Sequence, residues 1–555
     1  MVIGIDLGTT NCTVTSIDEN GRTCVIQNQH GEYITPSAVY FTEEPGKVIV
    51  GKDAKEKSAT DPRNLVMFVK REMGKTKDEV RFNKIERAPV PYEYWGRRLS
   101  PEEISAYILG QLKKDAELAL KQPVKDAVIT CPAYFGQKEK EATRIAGEMA
   151  GFNVLEVIPE PTAAAFKYSA ISQKKTETIF VFDLGGGTFD VTILKIQDGP
   201  NGREINTLNT DGDRKLGGKD WDENLFGYML DRFNDKYHQM LDYEEGPEAD
   251  ITRGKLVLDC ERAKKDLYKG DVTETSITME YKGGILTETI SREKYESITS
   301  LSTNRCQIYC NNILKDAGMT WDDIDTILMV GSMSNCGAIQ AALRNWSGKE
   351  IQFGIINPKT CVSEGAAICA HLHNGGNTVQ TLKENPNYDK VEQGFCLAQD
   401  VQRIEDSGER VTQKIAFATN VISGSIRLKG FRNGAPAAMV FIAKNTQYPT
   451  ERTLCIPLGK EDLPEAKLEI LEGEVDNPNN CISLGEACLP LSGHHLATDK
   501  VEVTIMVDGN GIIQARGKDL KTGQTVEATI RRAGAISQDE IAKAQESIEN
   551  MFTLY

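Results

Sequence analysis

The chain has 555 residues, of which 40% are hydrophobic and 26% charged, and its formal net charge at pH 7 is −16. A single core rarely extends beyond about 250–300 residues, so several domains are expected. The negative charge disfavours nucleic acid as a partner, and the lack of an apolar run of about 18 residues disfavours a membrane span.

The beginning of the chain and its cysteines indicate a compartment. Residues 2–5 (Val-Ile-Gly-Ile) already predict a strand, so neither a signal peptide nor a transit peptide is expected. The 13 cysteines include no Cys-x-x-Cys pair, and most lie in apolar segments. We therefore expect the cysteines to be free thiols and the protein to be cytoplasmic.

Two similar motifs predict a pair of phosphate-binding turns. Residues 3–10 (Ile-Gly-Ile-Asp-Leu-Gly-Thr-Thr) and 181–190 (Val-Phe-Asp-Leu-Gly-Gly-Gly-Thr-Phe-Asp) each predict a strand, a tight turn and a returning strand. Glycine lets backbone N–H groups approach an anion, threonine adds a hydroxyl donor, and aspartate can hold Mg²⁺ through water. Two copies therefore predict two half-sites that clamp one nucleotide.

The periodicity of the sequence changes along the chain. Up to residue 373, strand-like segments such as 126–131 alternate with helix-like segments such as 101–121, which predicts an α/β fold with mixed sheets. Residues 374–413 are polar, aperiodic and rich in glycine, proline and asparagine, as in a linker or a long insertion.

The last part of the chain predicts a β domain and one helix. From 414 to 533 the period becomes two, and Asp-Gly-Asn-Gly at 508–511 supplies a hairpin turn, which predicts antiparallel strands. Ser537 and Glu540 form a capping box for a final helix of about four turns. Its apolar face contains Ile541, Ala544, Ile548 and Met551.

With these motifs the chain resembles the seventy-kilodalton heat-shock chaperones of the DnaK type. Further segments carry the resemblance: 66–71, 131–135, 159–165, 216–220, 260–265, 441–446 and 508–512. It implies a multidomain protein with four parts: an actin-like α/β ATPase domain of two lobes with mixed sheets (1–373), a linker or insertion (374–413), an antiparallel β-sandwich that binds hydrophobic polypeptides (414–533), and a truncated helical lid (534–555).

The resemblance also implies ATP or ADP with Mg²⁺ as ligands, and it allows K⁺. The implied catalytic residues are Lys70, Glu160, Asp183 and Thr188, and the implied metal-binding residues are Asp6, Asp183 and Asp190. The implied nucleotide-binding residues are Gly8, Thr9, Thr10, Asn11, Gly186, Gly187, Gly217, Gly218, Glu261, Lys264, Lys265, Tyr268, Gly331, Ser332 and Asn335.

Two of these residues have an ordinary structural alternative. By resemblance Lys70 lies near the γ-phosphate, where its ammonium can orient the attacking water and offset developing charge. The alternative for Lys70 is a solvated surface lysine. Glu160 lies between two prolines at a strand-to-helix junction, where a carboxylate is also stabilised by the helix dipole.

Several positions depart from the family pattern. Tyr268 replaces a small hydroxyl residue of the family. Asn335 replaces the arginine that covers the adenine face in the family, and the loss of this cation is expected to cost about 1–2 kcal/mol of nucleotide-binding free energy. Glu156 replaces an arginine that helps J-domain co-chaperones dock. Lys140 and Arg144 match positions that pass nucleotide state between domains, although a solvated helix face explains their i,i+4 spacing equally well.

Two further segments leave alternatives open or predict little. Residues 414–420 occupy the linker position, where Ile415 and Phe417 either dock beneath the nucleotide domain or belong to an ordinary first strand of the β domain. The pairs His371/His373 and His494/His495 lack further ligands at metal spacing, so no zinc site is expected.

Three functions fit these expectations to different degrees. The first is an ATP-driven chaperone for hydrophobic polypeptides, assisted by a J-domain co-chaperone and a nucleotide exchange factor. The second is a nucleotide-binding holdase or accessory co-chaperone that hardly cycles, which the altered adenine loop favours. The third is a sugar-type kinase, which the strands after residue 414 disfavour.

Overall fold

The computed structural model describes residues 1–80, 92–269, 272–351, 355–382, 410–432, 434–530 and 536–553. Most of the predicted linker or insertion, residues 383–409, lies outside this description. Within the described ranges, no helix has the length and apolarity needed to cross a bilayer.

The first lobe is built around a mixed sheet. Its elements are β1 (Val2–Asp6), β2 (Asn11–Ile17), β3 (Thr23–Val25), β4 (Thr35–Pro36), β5 (Ala38–Phe41), β6 (Val48–Val50), α1 (Lys52–Glu56), β7 (Leu65–Met67), β8 (Glu93–Tyr94), β9 (Arg97–Arg98), α2 (Pro101–Leu120), β10 (Asp126–Cys131), α3 (Gln137–Met149), β11 (Asn153–Pro159) and α4 (Glu160–Ile171). The sheet order is β11-β10-β1-β2-β3, with β4 on β2. Strand β1 is parallel to β10 and antiparallel to β2, as the first hairpin motif predicts.

The second lobe repeats this arrangement. Its elements are β12 (Thr176–Leu184), β13 (Phe189–Gly199), β14 (Gly202–Asp213), α5 (Gly218–Tyr237), α6 (Pro247–Tyr268), β15 (Glu274–Tyr281), β16 (Gly284–Ser291), α7 (Arg292–Asp316), β17 (Thr326–Val330), α8 (Gly337–Ser347), α9 (Cys361–His373) and β18 (Thr378–Leu382). Strand β12 is parallel to β17 and antiparallel to β13, so the second hairpin occupies the place that β1–β2 has in the first sheet.

Helices α4 and α9 pack against each other and join the two sheets. A Cβ on Gly365 would lie 1.7 Å from the Ala163 carbonyl oxygen, and one on Gly4 would lie 2.0 Å from the Ala367 nitrogen. One hydrophobic cluster contains residues of both helices and of both sheets. This shared core fixes the positions of the two hairpins relative to each other.

The remaining strands follow residue 409. They are β19 (Arg410–Val421), β20 (Ile426–Arg432), β21 (Ala435–Ile442), β22 (Gln447–Tyr448), β23 (Thr450–Pro457), β24 (Glu465–Glu472), β25 (Ile482–Pro490), β26 (Lys500–Val507), β27 (Ile513–Asp519) and β28 (Thr525–Thr529). Two four-stranded antiparallel sheets, β21-β20-β24-β25 and β23-β26-β27-β28, enclose one apolar core. This is the expected β-sandwich architecture.

Strand β19 belongs to the sheet of the second lobe and not to the sandwich. It lies parallel to β14 and antiparallel to β18. Ile415 is 1% exposed and packs in the core shared by the two sheets, whereas Phe417 is 52% exposed. Ile415 is therefore docked against the preceding domain, which is the first of the two alternatives. The domain boundary expected at residue 414 falls inside β19.

Helix α10 (Gln538–Thr553) packs on the first lobe. Its start has the capping box: the Ser537 N–H donates to Glu540 Oε2 at 2.9 Å, and the Glu540 N–H donates to Ser537 Oγ at 3.3 Å. Ile541 and Ile548 are buried in the same core as residues of α2 and α3. The apolar face of α10 thus covers part of the first lobe.

Candidate functional site

The two predicted phosphate-binding turns face each other across a cleft between the lobes. A Cβ on Gly186 would lie 2.0 Å from Thr10 Oγ1, and one on Gly187 would lie 2.2 Å from Thr9 Cγ2. A Cβ on Gly8 would lie 2.0 Å from the Asn11 carbonyl oxygen. Only glycine fits at these three positions, because any larger residue would separate the turns or block their backbone.

The second turn is held by the segment that begins helix α5. The Gly218 N–H donates to the Gly185 carbonyl at 3.0 Å, and the Gly185 N–H donates to the Thr188 carbonyl at 3.1 Å. A Cβ on Gly217 would lie 2.6 Å from the backbone of Gly187. The glycines predicted as ligands at 186–187 and 217–218 therefore form one contiguous backbone surface.

Four carboxylates lie below the turns, three of them buried and Asp6 half-buried. Asp6 ends β1, Asp183 pairs with Asp190 across the second hairpin, and Glu160 begins α4. Burial first, and then the neighbouring Glu160, raises the pKa of Asp6 to about 7 and the pKa of Asp183 well above its usual range. Burial and Glu160 also raise the pKa of Asp190. Each of these carboxyls is thus placed where negative charge is unfavourable without a cation.

Lys70 brings a positive charge to this group. It lies in a short 3-10 turn, Val69–Glu72, which follows Phe68 in a left-handed conformation with φ of 62°. Its side chain is 4% exposed, and its ammonium donates a hydrogen bond to Glu160. Burial acts to lower the pKa of Lys70, but Glu160 and Asp6 outweigh it and the pKa is raised. Lys70 is therefore a buried cation and not a solvated surface lysine.

Unpartnered polar atoms show that these residues fit a phosphate ligand and a cation. Thr9 Oγ1, Thr10 Oγ1 and Asp190 Oδ2 are buried and lack a hydrogen-bond partner among the described residues. Leaving such atoms without a hydrogen-bond partner costs free energy, so a ligand that supplies the missing partners would be stabilised here. Hydroxyls suit phosphate oxygens, and carboxylate oxygens suit hydrated Mg²⁺.

Ion pairs connect the lobes above the cleft, and three of the residues involved, Lys55, Arg71 and Asp220, carry no site role predicted from the sequence. Arg71 donates from Nη2 to Asp220 Oδ2 at 2.5 Å and from Nε to the Gly187 carbonyl at 2.8 Å. Lys55 lies 2.7 Å from Glu261. Arg71 and Asp220 are 149 positions apart in the chain, so their contact could not be predicted from the two motifs that contain them.

The cleft widens into a cavity of about 1010 Å³. The predicted residues that line it are Thr9, Thr10, Asn11, Gly186, Gly218, Glu261, Lys264, Lys265, Tyr268, Ser332 and Asn335. Lys70, Glu160 and the aspartates lie together beneath the two turns. The structure thus gathers the predicted site residues around one cleft.

A comparison with known proteins identifies the family. A sequence model of the protein family described as "Hsp70 protein" matches residues 2–384 and 416–553 of the chain. The chain belongs to the Hsp70 family. It is also 33% identical over 569 residues to "Chaperone protein dnaK" from Cyanophora paradoxa, which covers 99% of this chain and 82% of that relative. The resemblance stated from the sequence is confirmed, and Hsp70 membership implies an actin-like ATPase domain and a β-sandwich.

Two residues expected near an adenine, Tyr268 and Asn335, line the cavity. The Tyr268 hydroxyl donates to Met333 Sδ at 3.0 Å, and its ring lies edge-on to Tyr295 with centroids 6.3 Å apart. Gly331 has a φ of +83°, and a Cβ there would lie 2.4 Å from the Leu184 carbonyl oxygen. Tyr268 therefore packs against the loop that carries Asn335.

The sandwich of this Hsp70 chain contacts the first lobe through Lys140 and Glu472. Lys140 is 7% exposed and its ammonium lies 5.5 Å from the Tyr448 ring centroid, so it is not part of a solvated face. The Gln137 N–H donates to Glu472 Oε2 at 3.3 Å. Arg144, the other predicted residue of this pair, donates to the Val154 carbonyl at 2.7 Å within the lobe.

Proposed function

We propose that this chain is an ATP-dependent molecular chaperone that binds hydrophobic polypeptide segments under the control of ATP binding and hydrolysis. The observation that carries the proposal is one cleft with two facing Gly/Thr turns above a buried carboxylate group. Strand β19 ties the domain that contains this cleft to the β-sandwich. A cytoplasmic location and assistance by a J-domain co-chaperone and an exchange factor form part of the proposal.

In this proposal each part of the cleft has a separate task. Thr9, Thr10 and the 186–187 backbone bind the phosphates, while Glu261, Lys264 and Lys265 face the ribose and base. Asp6, Asp183 and Asp190 would hold hydrated Mg²⁺, which when bound neutralises phosphate charge. Lys70 stabilises developing negative charge and orients water, and Glu160 holds the Lys70 ammonium in place.

The sandwich offers apolar surface for a polypeptide. Phe431, near the end of β20, is 70% exposed, and its cross-strand partner is Pro436 on β21. An exposed aromatic side chain on a rigid sheet supplies apolar contact area. Phe431 and Pro436 therefore support the proposal that the sandwich binds hydrophobic peptides.

The decisive experiment is the release of a fluorescent hydrophobic peptide from the full chain with and without Mg²⁺-ATP. Acceleration by ATP is expected, because the strand joined to the sandwich forms part of the ATPase domain's sheet. ATP hydrolysis without accelerated release would instead support the holdase alternative. Phosphate transfer to sugars would contradict both.

Replacing Asn335 with arginine is expected to tighten ADP binding. A guanidinium over the adenine face contributes about 1–2 kcal/mol, which corresponds to a Kd about fivefold to thirtyfold lower. Isothermal titration calorimetry with Mg²⁺-ADP measures the change. Asn335→Gln, which adds length without charge, should leave the Kd within about twofold. Equal affinities for Asn335→Arg and wild type would contradict this account of the adenine loop.

Docking of the sandwich onto the first lobe is expected to strengthen as pH falls from 8 to 5. Burial at the interface and the Glu139 carboxylate raise the pKa of Glu472 to about 7, although Lys140 and Arg214 act oppositely. The docked form therefore binds a proton that an exposed glutamate releases above about pH 4.3. Between about pH 5 and 7 the docking constant should rise about tenfold for each unit of pH decrease, and above pH 8 it should be constant.

Small-angle scattering of the full chain with ATP follows this equilibrium through the radius of gyration. Glu472→Gln should remove the pH dependence, because the amide does not titrate. Glu474→Gln is the matched control, since Glu474 accepts hydrogen bonds from Ser425 inside the sandwich. An unchanged pH dependence in Glu472→Gln would show that another group titrates.

A further inference from the structure

A three-residue cluster of mixed donors lies away from the nucleotide cleft. Cys369 and His373 are four residues apart in the last turns of α9, so their side chains share one face of the helix. Glu156, on the neighbouring strand β11, lies opposite them. Its Oε2 is 2.8 Å from His373 Nε2 and 3.4 Å from Cys369 Sγ.

We propose that Glu156, Cys369 and His373 form a binding site for Zn²⁺, independent of the nucleotide site. The ligand atoms of the three residues all lie within 4.8 Å of one another. Tetrahedral zinc with one sulfur, one nitrogen and one oxygen ligand separates these atoms by about 3.3–3.6 Å. The Cys369–Glu156 separation already agrees, and the His373–Glu156 separation needs to grow by about half an ångström.

The chemistry of the donors selects the class of metal. A thiolate and an imidazole favour zinc and similar borderline ions over Mg²⁺ or Ca²⁺, which take oxygen ligands. Glu156 and ionised Cys369 together carry two negative charges, which a divalent ion neutralises. Three protein ligands leave a fourth position for water or a donor from a partner.

The surroundings of the cluster place that fourth position at the surface. Cys369 is 1% exposed and anchors the site in the core, whereas the His373 side chain is 26% exposed. The His373 ring also lies 5.1 Å from the Phe417 ring of β19, measured between centroids. The site therefore lies at the edge of the first lobe, beside the strand that leads to the sandwich.

The expectation of no zinc site rested on the lack of further ligands, at metal spacing, for the pairs His371/His373 and His494/His495. The first pair is relevant here. The structure separates these two histidines: His371 Nε2 lies against Gly376, where a Cβ would approach it to 2.1 Å. The third ligand comes from a residue 217 positions before His373. The visible signal in the sequence was the Cys-x-x-x-His spacing on one helix.

Cobalt titration of the full chain tests the site, because a cobalt–thiolate bond gives a near-ultraviolet charge-transfer band. The protein is stripped with a chelator, desalted, and kept reduced with a phosphine in excess Mg²⁺, which occupies oxygen-only sites. We expect the band to saturate at one equivalent of Co²⁺ and to disappear when Zn²⁺ is added. A wild-type spectrum without this band would show a hydrogen-bonded triad only and would overturn the proposal.

Variants assign the ligands. Cys369→Ser should abolish the band, and His373→Ala and Glu156→Gln should weaken Co²⁺ binding by about tenfold or more. His371→Ala and Cys24→Ser are matched controls, since His371 lies outside the cluster and Cys24 is an exposed thiol. Because Cys369 is buried, His373→Ala at the rim decides the question if Cys369→Ser fails to fold. Wild-type affinity in His373→Ala, or loss of the band in either control, would overturn the site.

Discussion

Lys70→Ala is expected to lower kcat for ATP hydrolysis by roughly 100- to 1,000-fold, the usual effect of removing one preorganised donor to developing charge. Lys70 is 4% exposed and its ammonium is held by Glu160 beside Asp6 and Asp183. Steady-state ATPase under saturating ATP measures the loss.

The variant also leaves buried carboxylates without a compensating charge, so its folding needs an independent check. ADP affinity by calorimetry and thermal unfolding should show a folded, nucleotide-binding protein whose kcat alone falls by orders of magnitude. Lys77→Ala is the matched control, because Lys77 is an exposed lysine of the neighbouring segment and does not line the cavity. A Lys70→Ala enzyme with wild-type kcat would remove Lys70 from the mechanism.

The sequence predicted the parts of this cleft that are local in the chain. An apolar strand, an aspartate and a Gly/Thr turn are contiguous, so the pattern at residues 3–10 was enough to predict the hairpin that the structure shows. The repeat at residues 181–190 predicted the facing half-site. The close contact of Gly186 with Thr10 then follows from two sheets that share one core.

Parts of the site that depend on distant pairs could not be predicted in this way. Arg71 and Asp220, and likewise Glu156 and His373, contact each other although they lie more than 100 positions apart in the chain. The local sequence around each residue gives no information about its distant partner. The position of β19 was ambiguous for a related reason. A strand with alternating apolar residues fits either sheet edge, and tertiary packing of Ile415 decides between them.

Ile415→Asp is expected to abolish the acceleration of peptide release by ATP, bringing the ratio of release rates with and without ATP to about one. Ile415 is 1% exposed in a core that includes Ile205 and Val379, and its N–H donates to the Asn377 carbonyl at 2.9 Å. A carboxylate buried there without a partner costs several kcal/mol, which should expel β19 from the sheet edge.

The release assay on the full chain, with ATPase measured in parallel, separates loss of coupling from loss of the active site. Basal ATP hydrolysis should persist, because β12, β13 and the facing turns keep their own pairing. Thr412→Asp introduces the same charge at an exposed position of β19 and should retain ATP-accelerated release. Ile415→Val should also retain it, since a buried apolar residue remains. If Ile415→Asp releases peptide with ATP as fast as wild type, nucleotide control does not pass through β19. The contacts of Lys140 with Tyr448 and of Gln137 with Glu472 then become the route to test.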